Sequence, residues 1–265
     1  MREDAIQLEE TRLQDFDRIQ NYPDFHERHR VFPAVFENRH HKRILDVAAG
    51  VGCAAQRVVE RYPADILCND ITPKCLRILE QLGLPTVSFD LDNERVYPFP
   101  DGHFDAIISL STIEHLIHVD HFVKEVYRIL STDGYLYISS PNYASLSFFK
   151  RFVLEGRTFH DPISKSLRQR YEFYAHVRYF TYRTLLEFVS SFGFVSDAVY
   201  LPLPAGSTRY QALYARSKPK ALAFRYVMWL MYNLLSPRWA SEPILCFRKA
   251  SGRVPFSRKR RRVVL

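Results

Sequence analysis

The sequence predicts a doubly wound α/β domain around a mostly parallel seven-stranded sheet, with helical insertions. Three observations predict it. Short apolar runs alternate with helix-spaced segments from residue 43 to residue 140. A glycine-rich turn, Asp46-Val-Ala-Ala-Gly50-Val-Gly52, closes the first run. Acidic residues then close the next two, at Asp70 and Asp90.

The elements follow in order. Residues 3–20 and 24–38 read as helices on either side of Pro23. RILDVAAG (43–50) is a buried strand running into a turn, and CAAQRVVERY (53–62) has helical spacing. DILCND (65–70) is a second strand. A helix from Pro73 to about Leu82 follows, stopped by Gly83. PTVSFD (85–90) and HFDAIISL (103–110) are the third and fourth strands, then come a helix at 119–130 and the strand YLYISS (135–140). A first insert, 142–180, is rich in aromatic and basic residues. Helix 181–192 and strand 194–201 resume the pattern, a second insert spans 202–240, and PILCFRK (243–249) reads as the last strand. This divides the chain into a helical segment (1–42), the main domain (43–250) and a basic tail (251–265).

Composition narrows the class. The chain is 265 residues long and 47% hydrophobic, which suits a globular protein with a full core. The N-terminal residues are charged and lack an apolar signal-peptide core, and the four cysteines form no CxxC pair. A cytoplasmic location is expected, with buried thiols. The net charge of +8 equals the eight positive residues of 248–265, so the rest of the chain is balanced. Such a tail suits an anionic surface, lipid headgroups or nucleic acid, or is merely a solvated end. The apolar run ALAFRYVMWLMYNLL (221–235), flanked by Arg216, Lys218, Lys220 and Arg238, is too short and interrupted for a membrane span. It reads as a buried helix or as one lying on a membrane surface.

The glycines of the first turn allow a close backbone approach to a ligand beneath the next helix. Asp70, 18 residues beyond Gly52, is placed to accept hydrogen bonds from ribose hydroxyls, and Asp90 to address an adenine edge. Gly50-Val-Gly52-Cys-Ala-Ala55 also fits a dinucleotide-binding turn, but Asp46 argues against one. A buried carboxylate there repels a pyrophosphate and calls for a cationic ligand.

The series ILDVAAGVG, CNDIT, FDLDN and YPFPDGHFDAIISLSTIEHL, with the later HVRYFTYRTLLEFVSSFGF, resembles the class I S-adenosylmethionine-dependent methyltransferases. It is similar to the branch holding quinone-biosynthesis, sugar and natural-product O-methyltransferases. The resemblance covers roughly residues 43–200 and implies the Rossmann-like methyltransferase fold, EC 2.1.1 chemistry and S-adenosyl-L-methionine as cofactor. It implies that Asp46, Ala48, Gly50 and Gly52 hold the methionine part, Asp70 the ribose, Ile71, Asp90 and Leu91 the adenine. The same resemblance implies that Ser109 and Leu110 line the methyl-donor side. Ala48 departs from the family, which usually has glycine there.

Absences narrow the acceptor. The fourth strand ends in Ser-Leu-Ser-Thr, not in the Asn/Asp-Pro-Pro-aromatic sequence used on exocyclic base amines. No cysteine follows the fourth or fifth strand to attack a pyrimidine, and no acidic pair has metal spacing, so no metal is expected. His115 is the expected catalytic base, with Glu114 the alternative, and packing of the next helix is the structural role that competes. Tyr143, His160, His176 and Arg178 are the expected substrate-binding residues. Tyr143, Phe148, Phe149, Phe152 and Phe159 form an apolar lid or an extra core layer. The reading is a metal-independent methyltransferase acting at oxygen on a small-molecule, lipid-linked or glycan acceptor, with peripheral membrane contact through 221–239 and the tail. The alternatives are an RNA methyltransferase and a non-catalytic scaffold of the same fold.

Overall fold

The computed structural model describes residues 3–14, 16, 26–156, 160, 165, 167–252 and 260–265. Five strands run parallel: β1 (Arg43–Val47), β2 (Asp65–Asn69), β3 (Thr86–Val87), β4 (Phe104–Leu110) and β5 (Leu130–Ser139). β6 (Phe194–Leu201) and β7 (Ile244–Lys249) complete the predicted seven, and β7 is antiparallel to both its neighbours. An eighth, β8 (Arg261–Val264), lies parallel to β6, giving the order β3-β2-β1-β4-β5-β7-β6-β8. The sequence reading ended the sheet at 249, because a run of arginines has no apolar alternation. Its charges are instead paired locally: Arg261 with Glu37, Arg260 with the Tyr182 hydroxyl, and Arg262 with the Tyr232 and Asn233 carbonyls.

Alternate residues of each strand enter opposite layers, as a sheet buried on both faces requires. Leu45, Ile107, Leu136 and Ile138 pack on α5 (Val119–Ile129) and α8 (Tyr182–Ser191) through Phe122, Val126, Leu185 and Val189. Ile44, Ala106, Ile108 and Tyr137 face the other way. They meet α3 (Cys53–Arg61), α4 (Pro73–Gln81) and the segment after α2 (Glu27–Arg30), with Ala55, Val58, Leu79, Phe32 and Phe36 in contact. α1 (Glu3–Arg12) is shorter than the helix expected at 3–20, and residues 17–25, with Pro23, lie outside the described set.

The inserts differ from expectation. The first holds α6 (Leu146–Glu155) and α7 (Leu167–Ala175), the second α9 (Thr208–Arg216) and α10 (Lys218–Leu234). α10 buries only Ala221 and Tyr232, while Leu222, Phe224, Tyr226, Val227 and Trp229 are exposed. It is not a core helix. Among the described residues no helix is long and apolar enough to cross a membrane. Phe149 and Phe152 on α6 are also exposed, so they form neither lid nor core; Tyr143 stacks on Phe148, and Phe159 lies outside the described residues. All four cysteines are buried free thiols.

Candidate active site

The strand ends β1, β2 and β4 deliver their loops to one rim, where a cavity of about 230 Å³ opens. Ala48, Gly50, Asp70, Ile71, Asp90, Leu91 and Leu110 line one part of it. Glu114, His115 and His176 line another.

The first turn is built on left-handed backbone. Gly52 (φ 81°) caps α3 in a conformation that favours glycine, and a Cβ there would stand 2.8 Å from a Leu79 methyl, which would have to shift. Ala48 holds φ 49° without being glycine, which stores strain at the cavity wall. The turn is tied to β2: Gly50 N–H donates to Asp70 Oδ2 (2.9 Å), and Ala49 N–H donates to the Asn69 carbonyl (2.8 Å).

Asp70 also accepts from the Thr72 N–H (2.8 Å). Burial raises its carboxyl to about 6 despite these bonds. Both oxygens thus serve the turn already, and the lone pairs that remain are those left for a ligand. Asp90 accepts from the Asp92 N–H and Asn93; burial would raise its carboxyl, but these bonds outweigh it and hold the group below the usual range. Asp46 is 3% exposed and does not line the cavity. Among the described residues no donor reaches it, and burial, with the Asp70 charge beside it, raises its carboxyl to about 8. A buried acid lacking a donor suits a ligand that brings positive charge. The donor set therefore fits S-adenosylmethionine: a cation for Asp46, hydroxyls for Asp70, an apolar ring against Ile71 and Leu91. Ser109 does not belong to this wall. It is fully buried in β4 with no hydrogen bond, because alternation turns its side chain into the layers beneath.

At the other end, a short 3₁₀ turn, Ile113–His115, carries Glu114 and His115. Glu114 is fully buried, and among the described residues neither carboxylate oxygen makes a hydrogen bond of normal geometry. Burial raises it to about 7, although the Ser111 and Ser140 hydroxyls close by oppose the shift. His115 Nδ1 faces the Ala175 carbonyl (3.2 Å), and burial lowers its pKa to about 4. It is therefore a weaker base than free imidazole. His176 sits edge-on to His115, ring centroids 4.6 Å apart, although 61 residues separate them in the chain. The N–H groups of Val177 and Arg178 both donate to the Glu114 carbonyl (2.9 and 3.0 Å), and this clips the two loops together.

The structure takes three expected substrate residues out of the cavity lining, two of them to behind the wall. Tyr143 and His160 do not line the cavity; the Tyr143 hydroxyl bridges His160 Nε2 (2.7 Å) and His176 Nδ1 (2.9 Å). Arg178 is exposed and binds the Ile117 carbonyl. Residues the sequence reading passed over complete the cavity: Glu9 and Arg12 from α1, His26 and Arg28 around α2, and Tyr171 from α7. Arg12 lies over the Tyr171 ring at 5.4 Å, and Arg28 pairs with Glu242 at 2.5 Å. Only their helical pattern was legible, and pattern does not say what a helix covers.

Residues 45–138 match the family model described as a methyltransferase domain. The chain has the fold of the class I S-adenosylmethionine-dependent methyltransferases. The methyltransferase domain is 34% identical over 113 residues to ajmaline N-methyltransferase of Rauvolfia serpentina (40% of this chain, 38% of that one). It is 38% identical over 96 residues to malonyl-[acyl-carrier protein] O-methyltransferase of Geobacter sulfurreducens (35% and 36%). The chain thus spans well under half the length of these curated relatives. Among solved structures, phosphoethanolamine N-methyltransferase 2 of Haemonchus contortus, in complex with S-adenosyl-L-methionine, superposes with a TM-score of 0.56 at 16% identity, covering 93% of this chain and 57% of that one. At that identity the likeness speaks for the fold of the methyltransferase domain alone.

Proposed function

We propose that the chain transfers a methyl group from S-adenosylmethionine to a small-molecule acceptor, with oxygen as the attacking atom. One observation carries this reading: a single cavity joins the glycine turn, Asp70 and Asp90 to the Glu114–His115–His176 cluster. The relatives' names support the small-molecule class and include transfer to both nitrogen and oxygen. When bound, the cofactor supplies a methyl group on an activated sulfonium. The protein's part is then to align the acceptor and keep water away. Asp46 supplies the countercharge, Gly50 and Asp70 fix the ribose, and Ile71 and Leu91 hold the adenine. Glu114 and His115 receive the acceptor hydroxyl and draw its proton away from the cofactor.

The RNA reading draws less on the end of the tail, because Arg260, Arg261 and Arg262 are engaged within the fold, while Arg253, Arg258 and Lys259 lie outside the described residues. A scaffold without turnover would have no use for a buried, unpartnered Glu114. The exposed apolar side chains of α6 and α10 favour an acceptor presented at a lipid surface, and with it peripheral membrane contact. The test is single-turnover transfer of labelled methyl to extract fractions. His115→Ala is expected to lower the rate by about 10²–10⁴-fold with cofactor affinity unchanged. A variant as fast as wild type would refute the role of this cluster.

A further inference from the structure

We propose that Glu114, His115 and His176 form the binding site of a divalent first-row transition-metal ion. The site lies in the cavity wall where the acceptor is received. Its role in turnover rests on the methyl-transfer reading, but the site itself does not.

One ligand atom from each of the three residues lies within 4.8 Å of the others. Sequence spacing gave no sign of this. Glu114 and His115 are adjacent, but adjacent side chains rarely suffice, and the third ligand comes from another loop. The two backbone bonds from Val177 and Arg178 to the Glu114 carbonyl set that register. They hold the ligand loops together whether or not a side chain bridges them.

Glu114 supplies the second, independent observation. It is fully buried, and both its oxygens lack a hydrogen-bond partner. The Ser111 and Ser140 hydroxyls nearby are unbonded as well. A buried carboxylate whose nearby hydroxyls do not reach hydrogen-bond geometry is costly, and a cation would remove that cost.

Both imidazoles are held from behind. The Ala175 carbonyl can only accept, so His115 Nδ1 carries the proton and Nε2 keeps its lone pair. His176 Nδ1 meets the Tyr143 hydroxyl, which also meets His160 Nε2. The far nitrogen of His160 stands 3.3 Å from the Glu172 carboxylate. With the Tyr143 hydroxyl donating to His160 Nε2, its oxygen accepts from His176 Nδ1, and that arrangement leaves His176 Nε2 free. This is the outer shell that metal-ligating histidines require, with the second ring nitrogen fixed by an oxygen. It also explains why half-buried Tyr143 and buried His160 stand behind the cavity rather than in it.

Two imidazoles and one carboxylate favour manganese, iron, cobalt, nickel or zinc over magnesium or calcium. Three protein ligands leave positions open on the cavity side. With the ion bound, Glu114 and His115 serve as its ligands in place of taking the proton themselves, and an acceptor hydroxyl bound there would lose its proton to water more easily. Its oxygen would then form the O–CH₃ bond as the S–CH₃ bond breaks. The electron pair of the broken bond stays on sulfur, and the metal keeps its oxidation state.

The test is a titration of chelator-treated full-length protein with Co²⁺, without S-adenosylmethionine. One equivalent is expected to bind and give visible d–d absorption, displaced by Zn²⁺. Glu114→Gln and His176→Ala should each weaken binding by about 100-fold or more, and Tyr143→Phe by about 10–100-fold. Thermal unfolding checks that the variants fold, and if His176→Ala does not, Glu114→Gln and Tyr143→Phe carry the test. No absorption from the wild type, or undiminished affinity in Glu114→Gln, overturns the site. Calorimetry with S-adenosylmethionine separates the two proposals. Cofactor binding without metal binding overturns the site alone, and metal binding without cofactor binding overturns the methyl-transfer reading alone.

Discussion

Replacing Asp46 by Asn keeps the shape of the side chain and removes its charge. In wild type the carboxyl is 3% exposed, lacks a donor among the described residues and has its pKa raised to about 8. Its folded pKa lies above the unfolded value of 3.8, so its contribution to stability is complete below that value and is lost as pH rises towards 8. At pH 7 this amounts to about 4 kcal/mol against the ligand-free fold. Asn does not titrate, so the unliganded variant should gain stability relative to wild type as pH rises from 4 to 8. Binding should move the other way. Attraction between the ionised acid behind the cavity wall and a cationic ligand contributes about 1.5–3 kcal/mol over about 6–11 Å. Ionising the acid at pH 7 offsets about 1.4 kcal/mol of this, and almost nothing at pH 8.5. Titration calorimetry with S-adenosylmethionine should therefore show the variant about 10–150-fold weaker at pH 8.5. The gap should narrow towards pH 6.5. The ligand's own amino group titrates nearby, and the variant controls for it. Equal affinities at pH 8.5, or an unliganded variant less stable than wild type across this range, would refute the reasoning.

Other expectations follow from single features. Asp70→Ala should weaken S-adenosylmethionine by about 1.5–3 kcal/mol in the same titration, and an intact fold with unchanged affinity would remove the ribose assignment. Ala48→Gly should raise the unfolding midpoint in urea by relieving about 1 kcal/mol of left-handed strain, less the entropy glycine adds to the unfolded chain. Removing residues 260–265 deletes β8 with its backbone and arginine contacts, so chemical denaturation should show a loss of stability; no loss would mean the strand is dispensable. Phe224→Ser with Trp229→Ser on α10 should reduce cosedimentation with anionic vesicles without changing cofactor affinity, and unchanged cosedimentation would dismiss the membrane surface.

What the sequence made legible is what local pattern controls. Ile44 and Leu45 alternate into two buried layers, and that apolar run was readable as a strand. The Gly52 turn and the strand-end acids Asp70 and Asp90 were readable because their residue types are tied to backbone and position. Side-chain direction was less so: Ser109 lies one residue before the lining Leu110 and faces away. The third strand shrank to Thr86–Val87, since an edge strand needs few pairings. Long-range pairing was hidden altogether. β8 is a strand because Glu37, Tyr182 and two carbonyls take up its arginines. His176 joins Glu114 through two backbone bonds that leave no trace in composition. α10 shows that an apolar helix need not be a buried one.

The central claim is that this cavity moves a methyl group. The most direct measurement is incubation of the full chain with methyl-labelled S-adenosylmethionine and fractionated small-molecule and lipid extracts. The account predicts label in an extractable product with wild type, and almost none with Asp70→Ala or Glu114→Gln. Label that stays in S-adenosylmethionine across every fraction, with a wild-type chain that binds the cofactor, would contradict it.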